Sequence, residues 1–243
     1  MTLVVALNCK DGIVMASDGQ ATVSSAGGPV RTPIQKIFKI NNHVLYGASG
    51  SVGTIQRSLA VIKSLSSKLE REWDYEVMEE VRKTLFGVYK NEVDRHRAFY
   101  KDTPQEDINN APISDVLLCS LTKKQKMLWH IAPDCSDELL QDIGYACTGV
   151  GDVFAYTLLK NFNVKDNNVS EGKLIACRII KEAIEIGAYG LGEPIDIWII
   201  QHKKGRMVIK QLAQEEIMAL SDSHLTWKNM EREVFKKIYE KSE

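Results

Sequence analysis

Apolar residues along this chain fall in two regimes: short runs that are continuous or alternate with polar residues, and longer stretches that repeat every three to four positions. The runs at 3–9 and 13–16 flank Lys10-Asp11-Gly12 and predict a β-hairpin beginning at the N-terminus, with Gly12 supplying the positive φ of a tight turn. Residues 19–33 form a polar, glycine-rich stretch broken at Gly27-Gly28-Pro29, which reads as a loop. The alternating Gln35-Lys-Ile-Phe-Lys-Ile40 then reads as a half-buried strand, turned at Asn41-Asn42 into a second strand over 43–48. After Gly47, Gly50 and Gly53 come helical repeats over 52–71 (Ile55, Leu59, Ile62, Leu65, Leu69) and 75–99 (Val77, Val81, Leu85, Val88).

Strand patterns resume at 115–121 and 127–131, and an apolar segment at 143–147 runs through Thr148-Gly-Val-Gly151 into helices over 152–161 and 169–187. Segments 194–200 and 206–212 form a hairpin around Lys203-Lys204-Gly205, and 225–241 is an amphipathic helix. Strands arrive in antiparallel pairs and helices in pairs, which is not the alternation of a parallel α/β sheet. The order predicts an α+β fold in which two antiparallel sheets stack and helix pairs cover both outer faces. The best linker candidate, 101–112, is too short to argue for two domains, so the expectation is one domain over 1–243, with a core over 2–212.

Charge adds exclusions. With 31 basic and 32 acidic residues the net charge is −1, so no global field draws the chain to nucleic acid or an anionic membrane. Cys9, Cys119, Cys135, Cys147 and Cys177 are scattered and odd in number, against a disulfide framework or a thiolate zinc site, and read mostly as reduced core thiols. The five histidines, His43, His96, His130, His202 and His224, have no ligand spacing, so no metal or cofactor is expected. No apolar run approaches the roughly 20 residues of a membrane span, and no signal-peptide pattern precedes the first strand, so the chain reads as cytoplasmic.

The candidate chemistry lies at Thr2. Removal of Met1 would leave an α-amine and a hydroxyl on one residue, and an adjacent amine that accepts the hydroxyl proton is an established way to activate this weak nucleophile. Asp18 ends the return strand near it. Taken alone, these residues read first as structural, with Thr2 opening an edge strand and Asp18 closing a hairpin, and Lys36 reads as part of a solvated face.

A resemblance changes that weighting. Thr2-Leu-Val-Val, Cys9-Lys-Asp-Gly-Ile-Val-Met-Ala-Ser-Asp18, Gln35-Lys-Ile-Phe-Lys-Ile40, Ala48-Ser-Gly-Ser-Val-Gly53 and Thr148-Gly-Val-Gly151 occur in the order and approximate spacing of proteasome β-type subunits, members of the N-terminal-nucleophile (Ntn) hydrolases. The wording Ser17-Asp-Gly-Gln20 also resembles their bacterial ring-peptidase relatives. The resemblance spans about 2–212. It implies a four-layer αββα sandwich, with Thr2 as nucleophile and its α-amine as base. Lys36 would be the cation favouring deprotonated amine and hydroxyl, Asp18 the carboxylate fixing that lysine, and Gly50 the oxyanion-binding backbone N–H. It also implies a peptide or unfolded-protein substrate, a homo-oligomeric ring or stacked assembly and a regulatory ATPase as candidate partner. Surfaces for ring neighbours would be the helix pair at 52–99 and the helix after Leu225.

The chain departs from the family pattern at Val150, where active β subunits usually carry serine, and at Ala188-Tyr-Gly-Leu-Gly-Glu193, where they usually carry Asp-x-x-Ser-Gly. Only Met1 precedes Thr2, in place of a self-cleaved leader, and a methionine aminopeptidase accepts a small second residue. The leading expectation is a threonine peptidase or amide-bond hydrolase. Two alternatives stand beside it: an acyl-transferring ligase or transpeptidase on the same Thr2, and a catalytically silent structural subunit. The family's α-type subunits carry a helix before the first strand, for which this sequence leaves no room.

Overall fold

The N-terminal hairpin is the most enclosed part of the molecule. Every residue of β1 (Leu3–Cys9) and β2 (Gly12–Asp18) is buried, because both faces of this pair are covered. Leu3, Val5, Leu7, Val14 and Ala16 point to one apolar cluster, and Val4, Ala6, Ile13 and Met15 to another. A strand buried on both faces needs apolar residues at successive positions, which explains the continuous runs. The computed structural model describes residues 2–25, 28–102, 111–187, 190–203 and 205–240. The expectations at Met1, at Gly27, for most of the 101–112 linker, at Ala188-Tyr189, at Lys204 and at 241 therefore fall wholly or partly outside the described residues.

The remaining strands are β3 (Gln20–Ser25), β4 (Gly28–Pro33), β5 (Ile37–Lys39), β6 (Val44–Gly50), β7 (Ser114–Leu121), β8 (Lys126–Ile131), β9 (Asp137–Leu139), β10 (Tyr145–Gly149), β11 (Ile195–Lys203) and β12 (Arg206–Gln211). One antiparallel sheet has the order β10-β1-β2-β11-β12 and the other β5-β6-β7-β8-β9. They stack through Val4, Met15, Leu45, Leu117 and their neighbours. The helices are α1 (Val52–Ser64), α2 (Tyr75–Phe99), α3 (Asp152–Leu159), α4 (Val169–Ile186) and α5 (Gln214–Glu240). α1 and α2 cover the second sheet, α3 and α4 cover the first, and α5 packs on α4. The layer order is helices, sheet, sheet, helices, the expected αββα sandwich.

Local chemistry sets the helix ends. Asp74 accepts the Val77 N–H at the start of α2, and Asn168 with Glu171 forms a capping box at the start of α4. Gly187, at φ 69°, ends α4 in the left-handed conformation. Asp11, in the first turn of the chain, also receives the Val169 N–H at 2.7 Å, which ties α4 to the hairpin.

Several expectations need correction. Residues 20–33 are a two-stranded ribbon, β3 paired with β4, rather than an open loop, because Thr22, Val23, Val30 and Thr32 supply enough β-forming residues to pair across the break. β1 is interior, flanked by β10 and β2, so Thr2 does not open an edge strand. Gly12 does not have positive φ. It is needed because a Cβ there would lie 2.3 Å from the Ile200 carbonyl oxygen across the β2–β11 pair. α1 stops at Ser64 instead of running to 71, and α5 begins at Gln214 rather than at 225. All five cysteines are free and buried. Burial pushes the Cys9 thiol up to about 12 and the Cys135 thiol up to about 11.

Candidate functional site

Antiparallel pairing brings the two ends of the first hairpin together. Val4 lies opposite Ser17, so Thr2 and Asp18 meet at the same end of the first sheet. Lys36 immediately precedes β5, and β5 pairs with β6, whose last residue is Gly50. Stacking of the sheets sets these two ends side by side. Gly47 permits close stacking, since a Cβ there would come within 2.8 Å of Val4 Cγ1.

Asp18 is fully buried and its carboxylate is saturated. Oδ1 accepts the Leu3 N–H at 2.9 Å and the Lys36 ammonium at 2.6 Å, and Oδ2 accepts the Gln20 and Gly192 N–H groups, each at 3.3 Å. A buried carboxylate is tolerated only with such partners. Lys36 is also buried, so its position in an alternating strand does not place it on a solvated face. Burial lowers the Lys36 pKa from the usual 10.5, and the Asp18 charge and hydrogen bond offset part of that effect.

The segment 190–192, which precedes β11, reinforces this corner. Gly19 N–H donates to the Gly192 carbonyl at 3.0 Å, and Gln20 Nε2 donates to the Gly190 carbonyl at 3.0 Å. A Cβ at Gly192 would lie 2.2 Å from Gln20 Oε1. This segment, where the sequence departs from the Asp-x-x-Ser-Gly pattern, contributes one backbone N–H donor, that of Gly192, to Asp18. The sequence signal was the glycine spacing, which carried no direction until the segment was placed beside β2.

Two cavities meet at Thr2. One, about 300 Å³, is lined by Thr2, Ala21, Thr22, Lys36, Phe38, Gly50 and Ile55. The ribbon misread as a loop thus supplies part of its wall. The other, about 430 Å³, is polar and lined by Thr2, Ser49, Gly50, Asp115, His130, Thr148, Val150 and Asp152. Ser49 and Thr148 join across the sheets through their hydroxyls at 2.9 Å, and His130 Nε2 lies 3.3 Å from Asp115 Oδ1. Gly50 borders both cavities. Its φ of +116° and the 2.4 Å approach of the Ile113 carbonyl to a would-be Cβ leave room only for glycine. Gly149, at φ +109°, has the same restriction, because a Cβ there would sit 2.1 Å from the Thr2 carbonyl oxygen. Sequence reasoning took Gly149 only as part of the Thr148-Gly-Val-Gly151 passage into a helix and missed that it fixes the backbone of Thr2.

The four sequence candidates, Thr2, Asp18, Lys36 and Gly50, therefore converge, and Thr2, Lys36 and Gly50 share one cavity. The arrangement offers a hydroxyl beside a buried cation whose counter-ion is fixed, with room on both sides for a substrate chain. Val150, half exposed, faces the polar cavity without a polar group to offer.

The family model described as Proteasome subunit matches residues 2–96. The chain is similar to the proteasome subunit beta of Methanobrevibacter smithii, 28% identical over 185 residues that cover 76% of this chain and 79% of that one. It is also similar to the proteasome subunit beta of Ferroglobus placidus, 27% identical over 219 residues, 90% and 93% of the two chains. Among solved structures, the helical assembly of the Anbu complex from Pseudomonas aeruginosa aligns with a TM-score of 0.69 at 14% identity, over 97% of this chain and 96% of that one. Anbu, described as an ancestral beta-subunit, from Yersinia bercovieri aligns with a TM-score of 0.67 at 15% identity, over 96% and 97%. By this sequence likeness the chain is similar to proteasome beta-type subunits, and its αββα sandwich is the fold of the Anbu structures.

Proposed function

We propose that the protein is a proteasome-like threonine peptidase or amide-bond hydrolase that uses Thr2 after removal of Met1. The Thr2 hydroxyl attacks the substrate carbonyl while the Thr2 α-amine takes its proton. The C–N bond then breaks, the departing amine receives that proton, and an ester on Thr2 remains. Water adds to the ester and releases the acid. Lys36 favours the deprotonated amine and hydroxyl by its positive charge. Asp18 positions Lys36, and the Gly50 N–H receives the developing oxyanion, a contact worth about 3 kcal/mol.

The observation that carries this reading is the buried Asp18–Lys36 pair, 2.6 Å apart, opening into the cavity that Thr2 lines. A carboxylate desolvated with four donors around it serves a lysine that faces a nucleophile better than it serves stability alone, since buried ion pairs gain little over apolar packing. Val150 supports a second reading on the same ester: with no polar group there to help activate water, an added amine competes as acyl acceptor, giving a ligase or transpeptidase.

We take 1–243 as one domain with the expected core over 2–212 extended to Ile217 of α5, since Ile217 shares an apolar cluster with β1 and β2. Peptide or unfolded protein is the proposed substrate, with a regulatory ATPase as a candidate partner. A homo-oligomeric assembly is proposed by likeness to the Anbu complex, whose solved structure is a helical assembly. Among the described residues no helix is long and apolar enough to cross a membrane; a cytoplasmic location is proposed from the likeness to proteasome beta subunits.

A peptide β-lactone or epoxyketone, followed by intact-mass analysis, tests the nucleophile. One adduct on Met1-free protein, lost in Thr2→Ala, is expected; no adduct, or equal labelling of Thr2→Ala, overturns the proposal. Product analysis with and without a free amine separates hydrolysis from acyl transfer.

A further inference from the structure

The two cavities that meet at Thr2 differ in chemistry, and that difference assigns the two sides of a substrate. The smaller has apolar walls from Ala21, Phe38 and Ile55 and holds a buried cation, Lys36, already committed to Asp18. The larger carries the carboxylates of Asp115 and Asp152 and the imidazole of His130, and among the described residues no lysine or arginine lines it. A carbonyl seated on Thr2 with its oxygen at Gly50 sends its acyl chain into one cavity and its amine into the other, because both residues belong to both walls.

Two arguments fix which is which. The water or amine that later attacks the ester must approach along the path by which the first amine left, by microscopic reversibility, and a path for polar acceptors needs polar walls. The departing group gains one proton as the C–N bond breaks, leaves as a neutral amine and, when it is alkyl, takes a second proton from solvent to become an ammonium, a charge that Asp115 and Asp152 favour and an apolar wall does not. What makes these carboxylates a subsite is the wall they share with Thr2 and Gly50. His130 Nε2 lies 3.3 Å from Asp115 Oδ1, and both residues line the cavity.

We infer that the Asp115–His130–Asp152 cavity is the leaving-group subsite and that it selects a cationic residue, lysine or arginine, directly after the cleaved bond. The inference rests on Thr2 acting as the nucleophile. Attraction between a substrate cation and two partly solvated carboxylates gives a preference on the order of fivefold over glutamate at that position.

The test incubates the Met1-free protein with an equimolar library of synthetic peptides that differ only in Lys, Arg, Ala or Glu after the scissile bond, and reads the products by mass spectrometry. Lys and Arg peptides are expected to be cut fastest, with the Lys-to-Glu ratio falling toward one in Asp115→Asn with Asp152→Asn. In the unmodified protein the same ratio should shrink as salt rises, which holds the inference to account if the variant fails to fold. β-Lactone labelling of Thr2 in the same preparation separates the two levels. An adduct together with no cationic preference, an acidic preference, or a ratio unmoved by both the variant and salt overturns the subsite while leaving the nucleophile standing. No adduct overturns the proposed function and the subsite with it.

Discussion

Asp18 Oδ1 lies 2.6 Å from Lys36 Nζ, and the same oxygen accepts the Leu3 N–H, so one buried atom ties the lysine to the residue that follows Thr2. Replacing Asp18 by Asn leaves the buried Lys36 charge without its counter-ion. The expected loss is about 3–5 kcal/mol in urea unfolding, together with loss of Thr2 labelling. Adding Lys36→Met to Asp18→Asn should restore most of the stability, because a neutral pair of similar volume costs little to bury, and should not restore labelling. Recovery of both would remove Lys36 from the chemistry.

The depressed pKa of Lys36 gives stability and activity opposite responses to alkali. Because the folded-state pKa lies below the unfolded 10.5, the unfolded chain binds more protons in the interval between them, and stability rises with pH there. Activity should fall over the same interval, since a neutral Lys36 no longer favours the deprotonated amine. A pH profile of kcat/KM should therefore show an alkaline limb below 10.5, absent in Lys36→Arg, whose guanidinium stays charged.

At Gly50 the backbone is confined by φ +116° and by the Ile113 carbonyl. Gly50→Ala should lose about 1–3 kcal/mol of stability from backbone strain. As the shifted N–H no longer meets the oxyanion, it should also lose on the order of a hundredfold in kcat. Calorimetry and steady-state kinetics on one preparation check both. A variant that is destabilised yet fully active would place the oxyanion site elsewhere.

His224 is 1% exposed, and neither ring nitrogen has a hydrogen-bond partner among the described residues. Burial lowers its pKa below the usual 6.5, against an upward pull from Glu182 and Glu185 and alongside a downward one from Arg178 and Lys228. Its folded pKa is the lower one, so the unfolded chain takes up a proton first as pH falls through 6.5, and stability declines from there until the folded pKa is reached. Urea unfolding from pH 7 to pH 5 should show this slope, reduced in His224→Leu. An unchanged slope would assign it to other groups.

How much was legible follows from the range of each signal. The hairpins at 3–18 and 195–211 and the helix at 75–99 were readable because apolar period and turn residues are local. The ribbon at 20–33 was not, since its polar strands carry no apolar stripe and register only against each other. Lys36 illustrates the same limit: alternation in sequence says which face a side chain takes, and only the first sheet stacked against it makes that face buried.

The sequence alone determined the order of elements and the pairing of its strands into antiparallel hairpins, because apolar period and turn residues act within one segment, and resemblance to proteasome β-type subunits singled out Thr2, Asp18, Lys36 and Gly50 as candidates. Tertiary structure decided what they touch. It closed the Asp18 carboxylate with donors from residues 3, 20, 36 and 192, and it gave Gly149 its role against the Thr2 backbone. It also placed Asp115, His130 and Asp152 around a second cavity at Thr2. These relations join residues far apart in the chain, and their cause is close packing of two sheets, which no local pattern encodes.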